Sequence, residues 1–187
     1  MSEAKTEKSK SKFKVLDLVY TALGAVLIAV CSWISIPLLT VPITLQTMGV
    51  VLIASLFGAK RGVIATVVYI LLGAIGVPVF SGFSSGLGVI GGATGGYIIG
   101  FIFTALIVGI TADKTNKLWA LVVSMIIGIL VCYAFGTAWF AIVYTNKGTP
   151  MGVGTILGMC VVPFLIPDAV KIVIAAVLTN RLKRFIK

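Results

Sequence analysis

The segment Ile166–Leu178 reads IPDAVKIVIAAVL, an apolar run in which Asp168 and Lys171 stand three residues apart. A charged side chain inside the hydrocarbon of a bilayer costs about 2.5 kcal/mol or more on insertion scales. Residues i and i+3 share one face of a helix, so the two charges can pair and lower that cost. Pro167 suits the start of a helix, where the helix dipole also favours an acid. The run therefore predicts a membrane helix that begins with a buried ion pair.

The composition around this segment is that of an integral membrane protein. Of the 187 residues, 59% are hydrophobic and 11% are charged, whereas about a quarter of the residues in a soluble domain are charged. The length suits one domain of roughly five to seven helices of about 20 residues. Residues 1–14 are polar and rich in Lys. They predict a disordered basic cytoplasmic tail, followed by a single membrane domain over residues 15–185.

Apolar length and helix breakers predict an all-α protein with six membrane-spanning helices. The predicted spans are about 15–34, 45–58, 62–77, 95–111, 118–144 and a last one that ends near residue 178, whose start Pro163 and Pro167 leave open. Thirteen of the fifteen Lys and Arg residues fall on the side of the two termini, whereas Lys147 alone falls on the opposite side and Lys171 lies within a span. The positive-inside rule therefore predicts that both termini are cytoplasmic, which requires an even number of spans.

Two of the outward segments are unlike ordinary turns. Residues 35–44 contain two prolines and several hydroxyl groups, and residues 78–96 contain seven glycines in nineteen positions. Glycine allows the backbone to approach a ligand closely. Irregular backbone at membrane depth is tolerated only where it is buried in protein or lines a wet cavity. We therefore expect these Gly- and Pro-rich outer segments to form a pocket for a small molecule.

Several other functions are excluded by composition. The net charge of +10 is concentrated at the tail, the short loops and the C-terminus, so the positive-inside rule explains it and no nucleic-acid partner is expected. The chain has no His and no GxxxxGK[ST] motif, so neither metal nor cofactor chemistry nor ATP hydrolysis by this chain is expected. The three cysteines lie in apolar stretches without a CxxC motif and are interpreted as buried apolar residues.

The Asp168–Lys171 pair is the strongest candidate for a functional site. Counted from Arg181 near the inner surface, Lys171 lies roughly 15 Å deep and Asp168 roughly 20 Å deep. Ionisable residues at such depth usually mark a substrate or ion path. An acceptor-only Asp beside a Lys with three donors suits a polar ligand group. The alternative is a structural pair at the start of the last helix. A proton relay is disfavoured because a single acid lies at that depth.

The first predicted span carries Thr21, Ala25 and Ala29 at intervals of four residues. Small residues at this spacing let the backbone of another helix pack closely. That helix can belong to a partner or to this chain, and the spacing does not distinguish the two. Trp33 and Tyr97, near the outer boundary, suit interfacial anchors.

Four stretches carry a resemblance to a known family. They are VPITLQTMG at Val41–Gly49, GVPVFSG at Gly76–Gly82, TGGYIIG at Thr94–Gly100 and PDAVK at Pro167–Lys171. In this order and spacing, over roughly residues 13–185, the chain resembles the BioY family, the biotin-binding S components of energy-coupling factor (ECF) transporters. The resemblance implies a six-helix protein of a bacterial-type cell membrane that binds biotin near the outer surface. It also implies partners, namely a transmembrane coupling subunit and two ABC-type ATPases.

The resemblance further implies roles for particular residues. The substrate-binding residues are expected to be Asp168, Lys171, Ser84, Ser85, Gln46, Thr44 and Tyr97. The face that docks on the coupling subunit falls on Ala25 and Ala29. The chain departs from the common family pattern in the Gly-rich segment, where Ala93 replaces a proline and Ser84-Ser85 replace Asn-Gly. These departures affect the expected loop contacts more than the Asp–Lys pair.

The predicted function is therefore the capture of biotin for ATP-driven uptake, by a transport component that is not itself an enzyme. Biotin has a mostly apolar ring system and a ureido group with two N–H donors and one carbonyl acceptor, which Asp168 and Lys171 can match. Three alternatives stay open at this point: an S component for another small vitamin, a self-sufficient secondary transporter or channel, and a membrane scaffold that transports nothing.

Overall fold

The computed structural model describes residues 2–37 and 41–186, so residues 38–40 of the outer segment 35–44 lie outside the described part. The described residues form a helical bundle with one small two-stranded sheet. In chain order the elements are α1 Ser2–Trp33, β1 Ser35–Ile36, β2 Ile43–Thr44, α2 Gln46–Ala74, a 3-10 helix Ser81–Phe83, α3 Leu87–Ile90, α4 Gly95–Lys114, α5 Leu118–Asn146, α6 Val153–Cys160 and α7 Val162–Ile186. The strands pair antiparallel, Ser35 with Thr44 and Ile36 with Ile43.

Helix α1 begins at Ser2, so residues 2–14 continue the first membrane helix where the sequence predicted a disordered tail. Lys and Glu, which together supply seven of these thirteen residues, are favourable helix formers. A helix that is already formed also extends without a new nucleation step. The division of the chain into a tail and a membrane domain stays a prediction.

Helix α2 reverses direction at Gly58. This residue has φ 80° and ψ −179°, a backbone conformation that favours glycine. A Cβ atom placed on Gly62 would lie 2.8 Å from the Cα atom of Ala54, and Gln46 donates a hydrogen bond to Tyr69. In one straight helix Gln46 and Tyr69 would be about 35 Å apart. The residues before and after Gly58, here called the first and second arms of α2, therefore run antiparallel.

The turn between the two arms is held from two sides. The backbone N–H of Ala59 donates to Asp113 Oδ2 at 3.0 Å, and a side chain at Gly58 would clash with the same carboxylate. Arg61 Nε donates to Asp17 Oδ1 at 2.6 Å. The C-terminal end of α4 and the middle of α1 are therefore both bound to this turn.

Among the residues that the structure describes, five helices are long and apolar enough to cross a membrane. They are Val15–Trp33, Gln46–Ala74, Gly95–Lys114, Leu118–Asn146 and Val153–Phe185, the last of which joins α6 and α7. The predicted spans 45–58 and 62–77 correspond to the two arms of α2, which together form one of these five helices.

The last helix starts earlier than the sequence indicated. Helix α7 begins at Val162, with Pro163 in its first turn and Pro167 in its interior. The expectation that Pro167 starts the helix and that the dipole of its first turn holds Asp168 is therefore wrong. Pro163 takes the first-turn position because the missing N–H has no helical partner there in any case. Pro167 removes one backbone hydrogen bond, directly before Asp168.

The small-residue stripe of α1 packs inside the chain. Ala25 is 2% exposed and Ala29 is 5% exposed, and Thr21 is also buried. Helix α1 packs on α2, where a Cβ atom on Gly24 would lie 2.9 Å from Ala65. Ala25 and Ala29 therefore pack inside the chain, and their role in docking on a coupling subunit stays a prediction. Small side chains serve here to bring two helices of the same chain together.

Candidate ligand-binding site

A cavity of about 170 Å³ lies between the outer segments and helices α2, α4, α5 and α7. Its apolar wall consists of Val41, Pro42, Phe80, Val89, Ile98, Phe101 and Phe164. Its polar wall consists of Thr44, Gln46, Thr47, Ser81, Ser84, Thr94, Tyr97, Cys132, Tyr133, Asp168 and Lys171. Pockets for drug-sized ligands are usually about 300–1,000 Å³, so this cavity suits a small, mostly apolar molecule that has a few polar groups.

The Asp168–Lys171 pair lies in the wall of this cavity and is almost completely buried. Asp168 is 3% exposed and Lys171 is 4% exposed, and Lys171 Nζ donates to Asp168 Oδ1 at 2.7 Å. Thr47 Oγ1 donates to the same oxygen at 3.1 Å, and the Tyr133 hydroxyl donates to Asp168 Oδ2. Three elements, the first arm of α2, α5 and α7, therefore converge on one carboxylate.

The pair retains hydrogen-bonding capacity toward the cavity. Lys171 has three N–H donors, and within the described part of the chain two of them reach Asp168 at 2.7 Å and Thr47 Oγ1 at 3.4 Å. A carboxylate has about four acceptor sites, of which the same part of the chain uses three. One N–H donor of Lys171 and one acceptor site on Asp168 Oδ2 are thus left for a bound molecule. Their mutual pairing also makes the burial of both charges tolerable.

A second polar group of the cavity is centred on Gln46. Its Nε2 donates to the hydroxyl of Tyr69, which in turn donates to Ser32 Oγ at 3.2 Å. The backbone N–H of Gln46 donates to Thr44 Oγ1 at 3.2 Å. Both Gln46 and Thr44 line the cavity, as their predicted roles require, whereas Tyr69 and Ser32 lie behind them.

The other predicted contact residues differ in how they face the cavity. Ser84 lines it, but its hydroxyl proton is used in a 2.7 Å hydrogen bond to Ser81 O, which leaves its lone pairs as acceptors. Tyr97 also lines the cavity, and its hydroxyl donates to Cys160 O at 3.2 Å. Ser85 lies outside the cavity lining. For all of these residues, contact with a ligand stays a prediction.

Sequence reasoning missed most of the residues that line the cavity, among them Thr47, Phe80 and Tyr133. Thr47 directly follows Gln46, and Phe80 lies within one of the four quoted motifs. Tyr133 is a hydroxyl-bearing residue inside a strongly apolar predicted span, which is a signal that a search for intramembrane polar groups can use. Hydrophobicity runs around the whole of α5, so its pattern does not indicate which face points inward.

The Gly-rich outer segment is tied to the end of α1. Trp33 Nε1 donates to Pro78 O at 2.8 Å, and its ring stacks on Phe83 with centroids 5.2 Å apart. Phe83 has φ 58°, a left-handed conformation that is rare for a non-glycine residue. Trp33, which the sequence suggested as an interfacial anchor, thus also holds the loop that supplies Ser81 and Ser84 to the cavity.

Membrane-length helices around a partly enclosed, partly polar cavity define a multi-pass membrane protein that binds a small molecule. Residues 5–187 match the sequence profile of the BioY family. The chain therefore belongs to the BioY family, and the resemblance seen in the four motifs is confirmed.

Individual relatives cover nearly the whole chain. A biotin transporter BioY from Thermotoga maritima is 38% identical over 90% of this chain and 96% of that protein. A probable biotin transporter BioY from Pyrococcus horikoshii is 37% identical over 91% of this chain and 98% of that protein. A crystal structure of the S component for biotin from an ECF-type ABC transporter superposes with a TM-score of 0.80. It is 27% identical and the match covers 92% of this chain and 93% of that one.

Proposed function

We propose that this chain is the substrate-specific component for biotin of an ECF-type ABC transporter. It captures biotin at the outer side of the cell membrane and delivers it inward. The observation that carries the proposal is the buried Asp168–Lys171 pair in the wall of a small, partly enclosed cavity. The chain shares its fold with a biotin S component, and the match covers 92% of this chain.

The cavity has the chemistry that biotin requires. In the proposed complex, the apolar ring system lies against Phe80, Ile98 and Phe101, which line the cavity. Asp168 accepts a hydrogen bond from a ureido N–H, and the remaining N–H of Lys171 donates to the ureido carbonyl. Polar groups that are buried and matched in this way reject analogues that leave them without a partner.

We propose six membrane crossings with both termini in the cytoplasm. The reversal at Gly58 supports this topology, because it divides α2 into two antiparallel arms. The first arm, residues 46–57, is about 18 Å long, shorter than the roughly 30 Å hydrocarbon core. Strands β1 and β2 then occupy the outer part of the membrane above this arm, where the cavity lies. Lys60 and Lys114 flank the turn that Asp113 closes, which suits the inner surface.

Energy for transport comes, in this proposal, from a transmembrane coupling subunit and two ABC-type ATPases. A self-sufficient secondary transporter would instead take up biotin in vesicles that contain this chain alone under an ion gradient. Uptake that requires the coupling subunit, the ATPases and ATP would support the proposal, and ion-driven uptake by the chain alone would favour the alternative.

The direct test is a titration of the purified protein with biotin. The Asp168→Asn variant should bind at least about 30-fold more weakly, because breaking a buried, hydrogen-bonded charge pair costs about 2–5 kcal/mol. Asp17→Asn is the matched control, since Asp17 pairs with Arg61 at the other end of the bundle and should leave the affinity unchanged. Equal affinity of the Asp168→Asn variant and the wild type would refute the assigned role. Displacement of biotin by an equimolar amount of another vitamin would refute the assigned substrate.

A further inference from the structure

Tyr69, on the second arm of α2, lies just behind the cavity and contacts its lining on two sides. The residue is 0% exposed. Its hydroxyl accepts a hydrogen bond from Gln46 Nε2, and the edge of the Phe80 ring meets its ring at 80° with centroids 5.6 Å apart. Gln46 and Phe80 line the cavity, whereas Tyr69 itself does not. Any influence of Tyr69 on a ligand must therefore pass through its neighbours.

The hydroxyl of Tyr69 defines the orientation of the Gln46 amide. A phenol has one proton, and here it is donated to Ser32 Oγ at 3.2 Å. The lone pairs of the Tyr69 oxygen are then available to accept from Gln46 Nε2. With its nitrogen directed at Tyr69, Gln46 turns its carbonyl oxygen toward Thr44 Oγ1, at 3.5 Å. A flipped amide would bring its carbonyl oxygen against the lone pairs of Tyr69 and lose this hydrogen bond.

Ser32, Tyr69 and Gln46 together connect the two ends of the β1–β2 hairpin. Ser32 lies three residues before β1, and Gln46 lies two residues after β2. The hairpin consists of two residue pairs and one further backbone hydrogen bond, from Leu45 N to Ile34 O at 3.1 Å. A hairpin this short is not stable alone in water, so its base depends on the side chains that anchor it.

The ring of Tyr69 is itself held in place. Phe80 packs between Tyr69 and Gly73, and a Cβ atom at Gly73 would clash with the Phe80 ring. The Tyr69 ring therefore has little freedom to rotate away from Gln46. A substitution that keeps the ring and removes the oxygen will preserve this packing, and it will remove the two hydrogen bonds alone.

We propose that Tyr69 is a positioning residue for ligand binding, which uses its hydrogen bond to Ser32 to hold the Gln46 amide in one orientation at the cavity wall. The inference rests on the proposed function in that biotin is the ligand used to read it out. Ser32 belongs to the same hydrogen-bond network. Its hydroxyl oxygen accepts the Tyr69 proton, which would otherwise be available for donation to the Gln46 carbonyl oxygen.

The test is a double-mutant cycle read by biotin titration. Tyr69→Phe should weaken biotin binding about tenfold, as expected when one buried hydrogen bond that orients a ligand contact is lost. In a Gln46→Ala background the same substitution should change the dissociation constant less than about twofold. An equal loss in both backgrounds would show that Tyr69 acts through general packing and would overturn the proposal, as would unchanged affinity of the single variant. Tyr144→Phe is the matched control, because no described residue is shown bonding to that hydroxyl and the residue lies outside the cavity.

A measurement without ligand separates this inference from the proposed function. In the ligand-free protein, hydrogen exchange of the amides of residues 44–46 should be faster in Tyr69→Phe than in the wild type, because Gln46 is released. Unchanged exchange there would overturn the positioning role. If the wild type does not bind biotin at all, the proposed function fails, while the exchange result still decides whether Tyr69 holds Gln46.

Discussion

Neutralising one member of the Asp168–Lys171 pair should destabilise the protein far more than neutralising both. The variants are Asp168→Asn, Lys171→Met and the double variant. Removing one partner of a buried ion pair costs about 3–5 kcal/mol, because the other charge stays buried without compensation, whereas replacing both is often neutral. The exposed fractions of 3% and 4% place this pair in the buried class.

The local contacts put each single variant near the lower limit of that range. After Lys171→Met, the carboxylate keeps its hydrogen bonds from Thr47 and Tyr133. After Asp168→Asn, the ammonium keeps Thr47 and a neutral amide oxygen. Each single substitution should then cost about 3 kcal/mol, and the double about 1 kcal/mol, which is a coupling of about 5 kcal/mol. At about 2–4 °C per kcal/mol for a chain of this size, the singles should melt about 6–12 °C lower than the wild type.

The chain carries its own reporters for this measurement. Cys132 and Cys160 are buried, whereas Cys31 is partly exposed. In a Cys31→Ser background a fluorogenic maleimide should therefore react only as the protein unfolds, and a thermal scan in detergent gives the melting temperature. The double variant should melt within about 4 °C of the wild type and should still fail to bind biotin. A double variant that melts as low as the sum of the two singles would refute the reasoning, because the two charges would then not compensate each other.

Two further substitutions test the walls of the cavity. Tyr133→Phe removes the hydroxyl donor to Asp168 Oδ2. This variant should bind biotin about tenfold or more weakly in a titration, since hydrogen bonds to charged groups contribute about 1.5–3 kcal/mol. Unaltered binding would show that this donor does not orient the carboxylate. Gly73→Ala should lower both affinity and melting temperature, because the added methyl group would clash with the Phe80 ring. Gly88→Ala is its control, since a Cβ atom there meets no described atom within 4 Å, and a similar loss in both variants would contradict the packing argument.

The sequence alone revealed the residues that are unfavourable in the hydrocarbon of a bilayer. A Lys and an Asp in an apolar run, and seven glycines in nineteen residues, stand out because hydrocarbon penalises charge and irregular backbone. These features led to Asp168, Lys171 and the outer segments, and the structure places both of them at one cavity. The breaker around Gly58 likewise separated two predicted spans, and the structure has a reversal there.

The sequence alone did not reveal features that depend on which helix a residue packs against. Small residues at intervals of four allow close helix packing with any helix, so only the fold shows that Ala25 and Ala29 pack inside the chain. Proline is compatible with the first turn and, at the loss of a hydrogen bond, with the interior, so only the fold decides that α7 begins at Val162 rather than at Pro167.

The sequence by itself determined the all-helical membrane class, the family and the two buried charges, because each depends on local composition or on short motifs in order. Only the tertiary structure decided which side chains surround those charges. Thr47 and Tyr133 reach Asp168 across 121 and 35 residues of chain, and Tyr69 reaches Gln46 across 23. Such contacts arise from the way helices pack against one another, and a uniformly apolar helix surface carries no pattern that encodes them.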